Sequence, residues 1–178
     1  MKLNKGDIMP DFTFVTPFGS RKSLYQTIGQ KPSFIMFLRY YGCTVCQLDL
    51  QNLKKNYGKF TERGGQVLIV LQSKPEGIAA QVSEEDLPFT IICDPEQELY
   101  RQFDIAPAKS TLGMLSWKLF GKLLEAKRQG IKHGAYEGNE QQLPAVFLIN
   151  QEGRVEYAHY ANNLTDLPDH ERMIELLA

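Results

Sequence analysis

Cysteine, histidine and tryptophan are all scarce in this chain: three, three and one among 178 residues. Three cysteines are too few, and odd in number, for the disulfide framework of a small secreted protein. His133, His159 and His170 are scattered. No second C-x-x-C and no closely spaced histidine pair joins Cys43 and Cys46, so the roughly four ligands of a structural zinc site are not in view. No G-x-G-x-x-G follows a strand, which argues against bound NAD or flavin, and the expectation is no cofactor. Net charge is lacking too. The 20 Lys and Arg against 21 Asp and Glu sum to −1, which gives no electrostatic case for nucleic acid. Apolar runs stop at strand length, at Phe34–Leu38 and Val67–Leu71, far short of the ~18 residues of a spanning helix. No apolar segment of signal-peptide type follows Met1, so the expected location is cytoplasmic.

What is present is ordinary globular composition, 43% hydrophobic and 23% charged, enough apolar surface to offset the entropy of ordering. The length suits one domain spanning residues 1–178, with 108–142 as a helical insertion. Phe12–Val15, Ser33–Leu38, Val67–Leu71, Phe89–Cys93 and Val146–Ile149 read as strands, and Arg154–His159 as the hairpin partner of the last. Cys46, Leu50, Leu53, Tyr57 and Phe60 recur at helical spacing until Gly64-Gly65. Pro75–Val82, a segment from Asp94 to Phe103, Thr111–Arg128 and Pro168–Leu177 read as further helices, with Asp94 as an N-cap. Strands alternating with helices and closing in a hairpin imply an α/β fold on a mixed sheet.

Cys43-Thr44-Val45-Cys46 lies between a buried strand and a helix. A sulfur at a helix N-terminus meets free N–H groups and the positive end of the macrodipole, and both favour thiolate. A second cysteine one turn on is within disulfide reach. Redox chemistry is therefore the reading of the pair, while Cys93, mid-strand, reads as a core residue. Cys46 sits on the apolar stripe and Cys43 precedes the helix, so Cys43 is expected to be the more exposed sulfur. Asp49, in the first turns of that helix, is assigned to its dipole. Residues 109–132 carry +5, leaving −6 for the rest. Leu112, Leu115, Leu119, Leu123 and Ala126 form an apolar stripe within this segment, and Met114 and Trp117 lie off it. That helix is expected to pack over the fold, with membrane-surface contact through 111–128 as the alternative.

Several segments resemble a known family. Gly6-Asp7-Ile8-Met9-Pro10-Asp11-Phe12 is similar to the opening of thioredoxin-superfamily redoxins. Phe37-Leu38-Arg39-Tyr40-Tyr41-Gly42-Cys43-Thr44-Val45-Cys46 resembles the active-site segment of the peroxiredoxin-like branch of the alkyl hydroperoxide reductase and thiol-specific antioxidant family. Cys93-Asp94-Pro95 through Ile105, Gln142–Ile149 and Tyr157-Ala158-His159 resemble later segments of the same branch. The resemblance implies a thioredoxin-like fold, a central mixed sheet flanked by helices with a helical insertion before the closing hairpin. It implies a Cys43–Cys46 dithiol/disulfide couple acting on a peroxide or disulfide, recharged by a thioredoxin or a small thiol. It also implies that Pro144 stands where thioredoxins carry a cis proline facing the site.

The chain departs from the peroxiredoxin P-x-x-x-T-x-x-C motif. Aligned on Cys46, Arg39 replaces the proline and Cys43 the threonine. The family's peroxide-contacting arginine falls at Pro144. Arg39 is a candidate to supply the missing charge. Two orders of attack stay open: Cys43 first, as burial pattern suggests, or Cys46 first, as the motif register suggests. A non-catalytic thiol or metal-stabilised binding module using the basic helix is the alternative from another class.

Overall fold

A computed structural model describes residues 1–177. Seven strands form one sheet: β1 (Thr13–Val15), β2 (Arg21–Ser23), β3 (Ser33–Phe37), β4 (Gln66–Leu71), β5 (Thr90–Cys93), β6 (Ala145–Ile149) and β7 (Val155–Tyr160). Their order across the sheet is β2-β1-β5-β4-β3-β6-β7. The β3–β4 and β4–β5 pairs are parallel and the remaining pairs antiparallel. Parallel neighbours require a crossover. Helix α2 (Thr44–Glu62) provides it between β3 and β4, and α3 (Pro75–Ala79) lies between β4 and β5. Four more helices complete the set: α1 (Leu24–Ile28), α4 (Glu98–Gln102), α5 (Trp117–Arg128) and α6 (His170–Leu176).

The central strands are apolar at every position because both faces of the sheet are covered. Side chains alternate between two cores. Phe34 and Met36 of β3 and Val67 and Ile69 of β4 pack on one side, with Leu50, Leu53 and Phe60 of α2. Ile35 and Phe37, with Leu68 and Val70, face the other side against Tyr100 and Phe103. Phe37 meets the rings of Tyr100, Phe103 and Phe147 edge-on, the arrangement aromatic quadrupoles favour. Helix α2 ends where Gly64 adopts φ +71, a conformation that a residue with a Cβ resists.

Several sequence readings change in detail. Two short elements, β2 and α1, have too little periodicity to be seen in the sequence. Asp94 does not sit at the cap position of α4, which Gln97 occupies in a left-handed conformation. Its carboxylate nevertheless accepts from the Glu98 and Leu99 amides and so satisfies that helix start. The expected single helix over Thr111–Arg128 is broken. A 3₁₀ turn covers Thr111–Met114, the chain extends at Leu115 and Ser116, and the Ser116 hydroxyl then caps α5. Met114 is buried, while Leu112, Leu115 and Leu123 of the expected stripe are exposed. Only Leu119 and Ala126 of that stripe are buried.

Candidate active site

Strand β3 delivers the chain to Arg39, and a tight bend at Tyr41–Gly42 turns it into α2. Cys43 is the N-cap of α2, extended at φ −66 and ψ 123, and its sulfur accepts from the Cys46 amide at 3.4 Å. The Arg39 guanidinium donates to the same sulfur, with Nη2 3.0 Å from Sγ. These contacts explain a thiol pKa pushed down to about 6. The largest cause is the Cys46 thiol donating to the Cys43 sulfur, followed among the favourable ones by the Arg39 charge; burial opposes both. The Cys46 thiol moves the other way, raised by burial and by the neighbouring Cys43 sulfur. One pair therefore holds a stabilised thiolate beside a retained thiol.

The expectation that Cys43 is the exposed sulfur is not met. Cys43 is 0% exposed and Cys46 5%. Helical phase described only α2 itself, whereas the loop that carries Cys43 is also fastened to a strap ninety residues later in the chain (131–142). The Gly134 amide donates to the Gly42 carbonyl at 2.8 Å. Gln47 ties the Gly42 and Lys132 carbonyls together. The Tyr40 hydroxyl meets His133 Nε2 at 3.0 Å, and the Ser73 hydroxyl donates to Glu137 at 2.6 Å. The Asn139 amide donates to Gln72, and Arg39 Nη1 donates to the Glu140 carbonyl at 2.6 Å. Arg39 thus holds both the sulfur and this strap. A Cβ on Gly42 would clash with the backbone of Gly134 and Ala135. Gly42→Ala is therefore expected to lift this strap and raise the alkylation rate of Cys43 at least about tenfold, since local opening limits access to a buried thiol. Mass-resolved iodoacetamide labelling reads that rate.

Pro144 lies beside the pair. It lines, with Leu38, Arg39, Cys43, Val45, Cys46, Asp49 and Leu164, a cavity of about 10 Å³. The expected cis bond is absent: the described residues contain no cis peptide, so Leu143–Pro144 is trans. Pro144 directly precedes β6, whose Ala145 pairs with Phe37, and a missing N–H at a strand start costs little. Asp49 also departs from its expected role. The first turn of α2 holds no acid; Asp49 lies beyond it and pairs with Lys122 of α5 at 2.5 Å, a contact that clamps α5 onto α2. Burial raises the Asp49 carboxyl and Lys122 draws it back. Lys122→Met leaves that carboxyl unpaired and is expected to lower stability by ~2 kcal/mol in urea unfolding, with Asp49→Asn costing less. Cys93 is buried at the end of β5, its thiol pushed up to about 12 mainly by burial, as a core cysteine should be.

Sequence reasoning found the cysteines, Arg39 and Pro144, and the structure brings all four together. It missed Ser73, Gln72, His133 and Glu137, which carry no periodic signal. Their only trace is the glycines at 42, 134 and 138, which permit close backbone approach.

The sequence profile of the AhpC/TSA family matches residues 5–158. The chain belongs to the AhpC/TSA family. Peroxiredoxin Bcp of Escherichia coli K12 is 28% identical over 113 residues, covering 62% of this chain and 70% of that protein. Two solved structures share the fold. The thiol peroxidase from Chromobacterium violaceum has a TM-score of 0.67 at 16% identity, over 99% of this chain and 87% of its own. Peroxidoxin BcpB from Mycobacterium tuberculosis has a TM-score of 0.68 at 12% identity, over 97% and 95%. The AhpC/TSA protein described here is thus a thioredoxin-fold, peroxiredoxin-like thiol-dependent oxidoreductase, as its sequence resemblance implies.

Proposed function

We propose that Cys43 is the peroxide-attacking thiolate and Cys46 the resolving thiol. The observation that carries this reading is the convergence on one sulfur of the Arg39 guanidinium and the Cys46 amide, at 3.0 and 3.4 Å. Arg39 also favours ionisation of Cys46, but burial and the neighbouring Cys43 sulfur outweigh it there, which supports Cys43 over the motif-register alternative.

The cycle balances in three steps. The Cys43 thiolate attacks the near oxygen of a hydroperoxide. The O–O bond breaks, the sulfur becomes a sulfenic acid, and an alcohol or water leaves with one proton. The Cys46 thiol then attacks the Cys43 sulfur. An S–S bond forms, and the expelled hydroxide leaves as water with the Cys46 proton. A dithiol reductant of the thioredoxin type exchanges with the disulfide, restoring both thiols and becoming oxidised itself. Arg39 favours the first step by holding the thiolate. Its buried Nε–H, which has no protein acceptor, is a donor for the oxygen on which charge develops. Pro144 forms a wall of the substrate cavity and limits its depth.

Complete burial of Cys43 favours a small peroxide over a protein disulfide as oxidant. Even so, a cavity of about 10 Å³ holds no more than a water molecule. Turnover therefore requires local opening around Cys43, both for peroxide entry and for the reductant's larger approach, and the 131–142 strap tied to Gly42 and Arg39 is the segment we assign to it. Trapping identifies the attacking sulfur. Cys46→Ser treated with one equivalent of hydrogen peroxide and dimedone is expected to gain a single adduct on Cys43. An adduct on Cys46 in Cys43→Ser, with none in the converse variant, reverses the assignment.

A further inference from the structure

Helix α5 is apolar on two opposite sides, and only one has a partner. Leu119 and Ala126 face inward, and Lys122 reaches Asp49. At 100° per residue, Trp117, Phe120 and Leu124 fall on the opposite side. They are 91, 59 and 51% exposed, and Leu112, just before the helix, is 79% exposed. Trp117 and Phe120 lie side by side with ring centroids 6.0 Å apart. No charged side chain of the helix lies within this arc. Basic side chains flank it: Lys127 on one edge and Arg128 on the other. Each of these basic residues is solvent-exposed. The one acid of the helix, Glu125, accepts from Gln129.

We propose that this outer face of α5 seats the protein on an anionic lipid bilayer, with Trp117, Phe120 and Leu124 entering the headgroup–acyl boundary. Charge decides the occupant. The segment 109–132 carries +5 and the rest of the chain −6. An anionic surface attracts this ridge and repels the remainder, which fixes orientation as well as affinity. A second copy docking by the same face would set two basic ridges against each other, because a two-fold interface is self-complementary. The one hydrogen-bonding side-chain group on the ridge is the Trp117 indole N–H, and an apolar ring with a polar edge suits the headgroup–acyl boundary. Helix α5 runs directly into the strap, so the docked face lies one short connection from the contacts with Gly42 and Arg39. The proposal does not depend on the order of thiol attack.

Trp117 is the only tryptophan, so it reports its own environment. The full-length reduced protein is titrated with phosphatidylcholine vesicles and with vesicles half phosphatidylglycerol, with flotation in parallel. Emission is expected to shift to the blue, and the protein to float, with the anionic vesicles alone at low salt. Each basic residue near an anionic surface is worth about fivefold in partitioning. Lys127→Glu/Arg128→Glu is therefore expected to weaken binding at least about 25-fold. Phe120→Ser/Leu124→Ser is expected to weaken it at least about tenfold through lost apolar burial. Both pairs are exposed, so peroxide-dependent thiol loss should match the unaltered protein and certify the fold. No blue shift with anionic vesicles overturns the proposal. So does binding that survives the charge reversal, or a blue shift that grows with protein concentration without lipid, which would make a second copy the occupant.

Discussion

Cys43→Ser is expected to reduce the second-order rate with hydrogen peroxide at least about 10⁴-fold, because a hydroxyl at that position cannot reproduce the thiolate nucleophile. Cys46→Ser is expected to behave differently. Its first oxidation should persist, while turnover with a thioredoxin-type reductant collapses for want of the resolving thiol. The first oxidation should also slow somewhat, since the Cys46 thiol is the largest single influence lowering Cys43. A serine hydroxyl at 46 retains a donor to the sulfur, so most of the thiolate survives. The two variants therefore separate chemistry from recycling. Stopped-flow peroxide consumption in a single turnover, set beside steady-state reductant oxidation, distinguishes them. Equal first-turnover losses in both would mean that neither sulfur acts as assigned.

Arg39→Met is expected to move the ionisation of Cys43 upward from about 6 toward the ordinary 9.0. The sign follows from charge: a thiolate that loses a cation holds its proton more tightly. Reactivity in the unaltered protein should rise as pH climbs through about 6 and level off near neutrality. In the variant that rise should come later. Magnitudes show why the pH profile is the better readout than one rate. A full return to 9.0 would cut the thiolate fraction at pH 7 by about 90-fold. A more basic thiolate is also more nucleophilic, with a Brønsted slope of about 0.4–0.5, which returns a factor of roughly 20. The net loss at pH 7 from ionisation alone is thus only about fivefold. Above the variant's own pKa, ionisation predicts a faster variant. If Arg39 also donates to the peroxide oxygen, the variant instead stays slower there by about 10²–10³. Arg39→Lys keeps charge without the fork that reaches both Cys43 and Glu140, and should fall between. The expected strap loosening in Arg39→Met is read separately by alkylation.

The sheet was legible because its strands are buried on both faces and so appear as unbroken apolar runs, as in Phe34–Leu38 and Val67–Leu71. The position of the redox pair was legible for a local reason: Gly42 breaks the strand and the 46–50–53–57–60 stripe starts a helix, which places Cys43 at its cap. Depth was not legible. The loop that carries Cys43 is fastened to the 131–142 strap, a polar segment whose contacts are backbone amides, single hydroxyls and close-packed glycines, none of which leaves a period in sequence. Asp49 looked like a dipole residue because Lys122 lies 73 positions away. The broken helix at Leu115–Ser116 misled for the opposite reason. Its leucines fit one stripe on paper, but α5 starts only after the Ser116 cap, which leaves Leu112 and Leu115 outside it and exposed while Leu119 and Ala126 keep their buried phase. Pro144 kept its expected place beside the cysteines but not its expected peptide geometry. Arg39 could be named in advance as a candidate charge, but only the three-dimensional bend at Tyr41–Gly42 shows that its guanidinium reaches Cys43 while also holding the strap through Glu140.

Thiolate absorbance requires no access to the sulfur, and so it tests the claim that Cys43 is the stabilised thiolate while the strap stays closed. The reduced protein is titrated from pH 4 to 10 in the ultraviolet, with Cys43→Ser and Cys46→Ser in parallel. The account predicts one thiol ionising with a midpoint near 6, lost in Cys43→Ser and still well below 9.0 in Cys46→Ser. A low-pH transition that survives in Cys43→Ser and vanishes in Cys46→Ser, or no transition below 9.0 in any form, would contradict it.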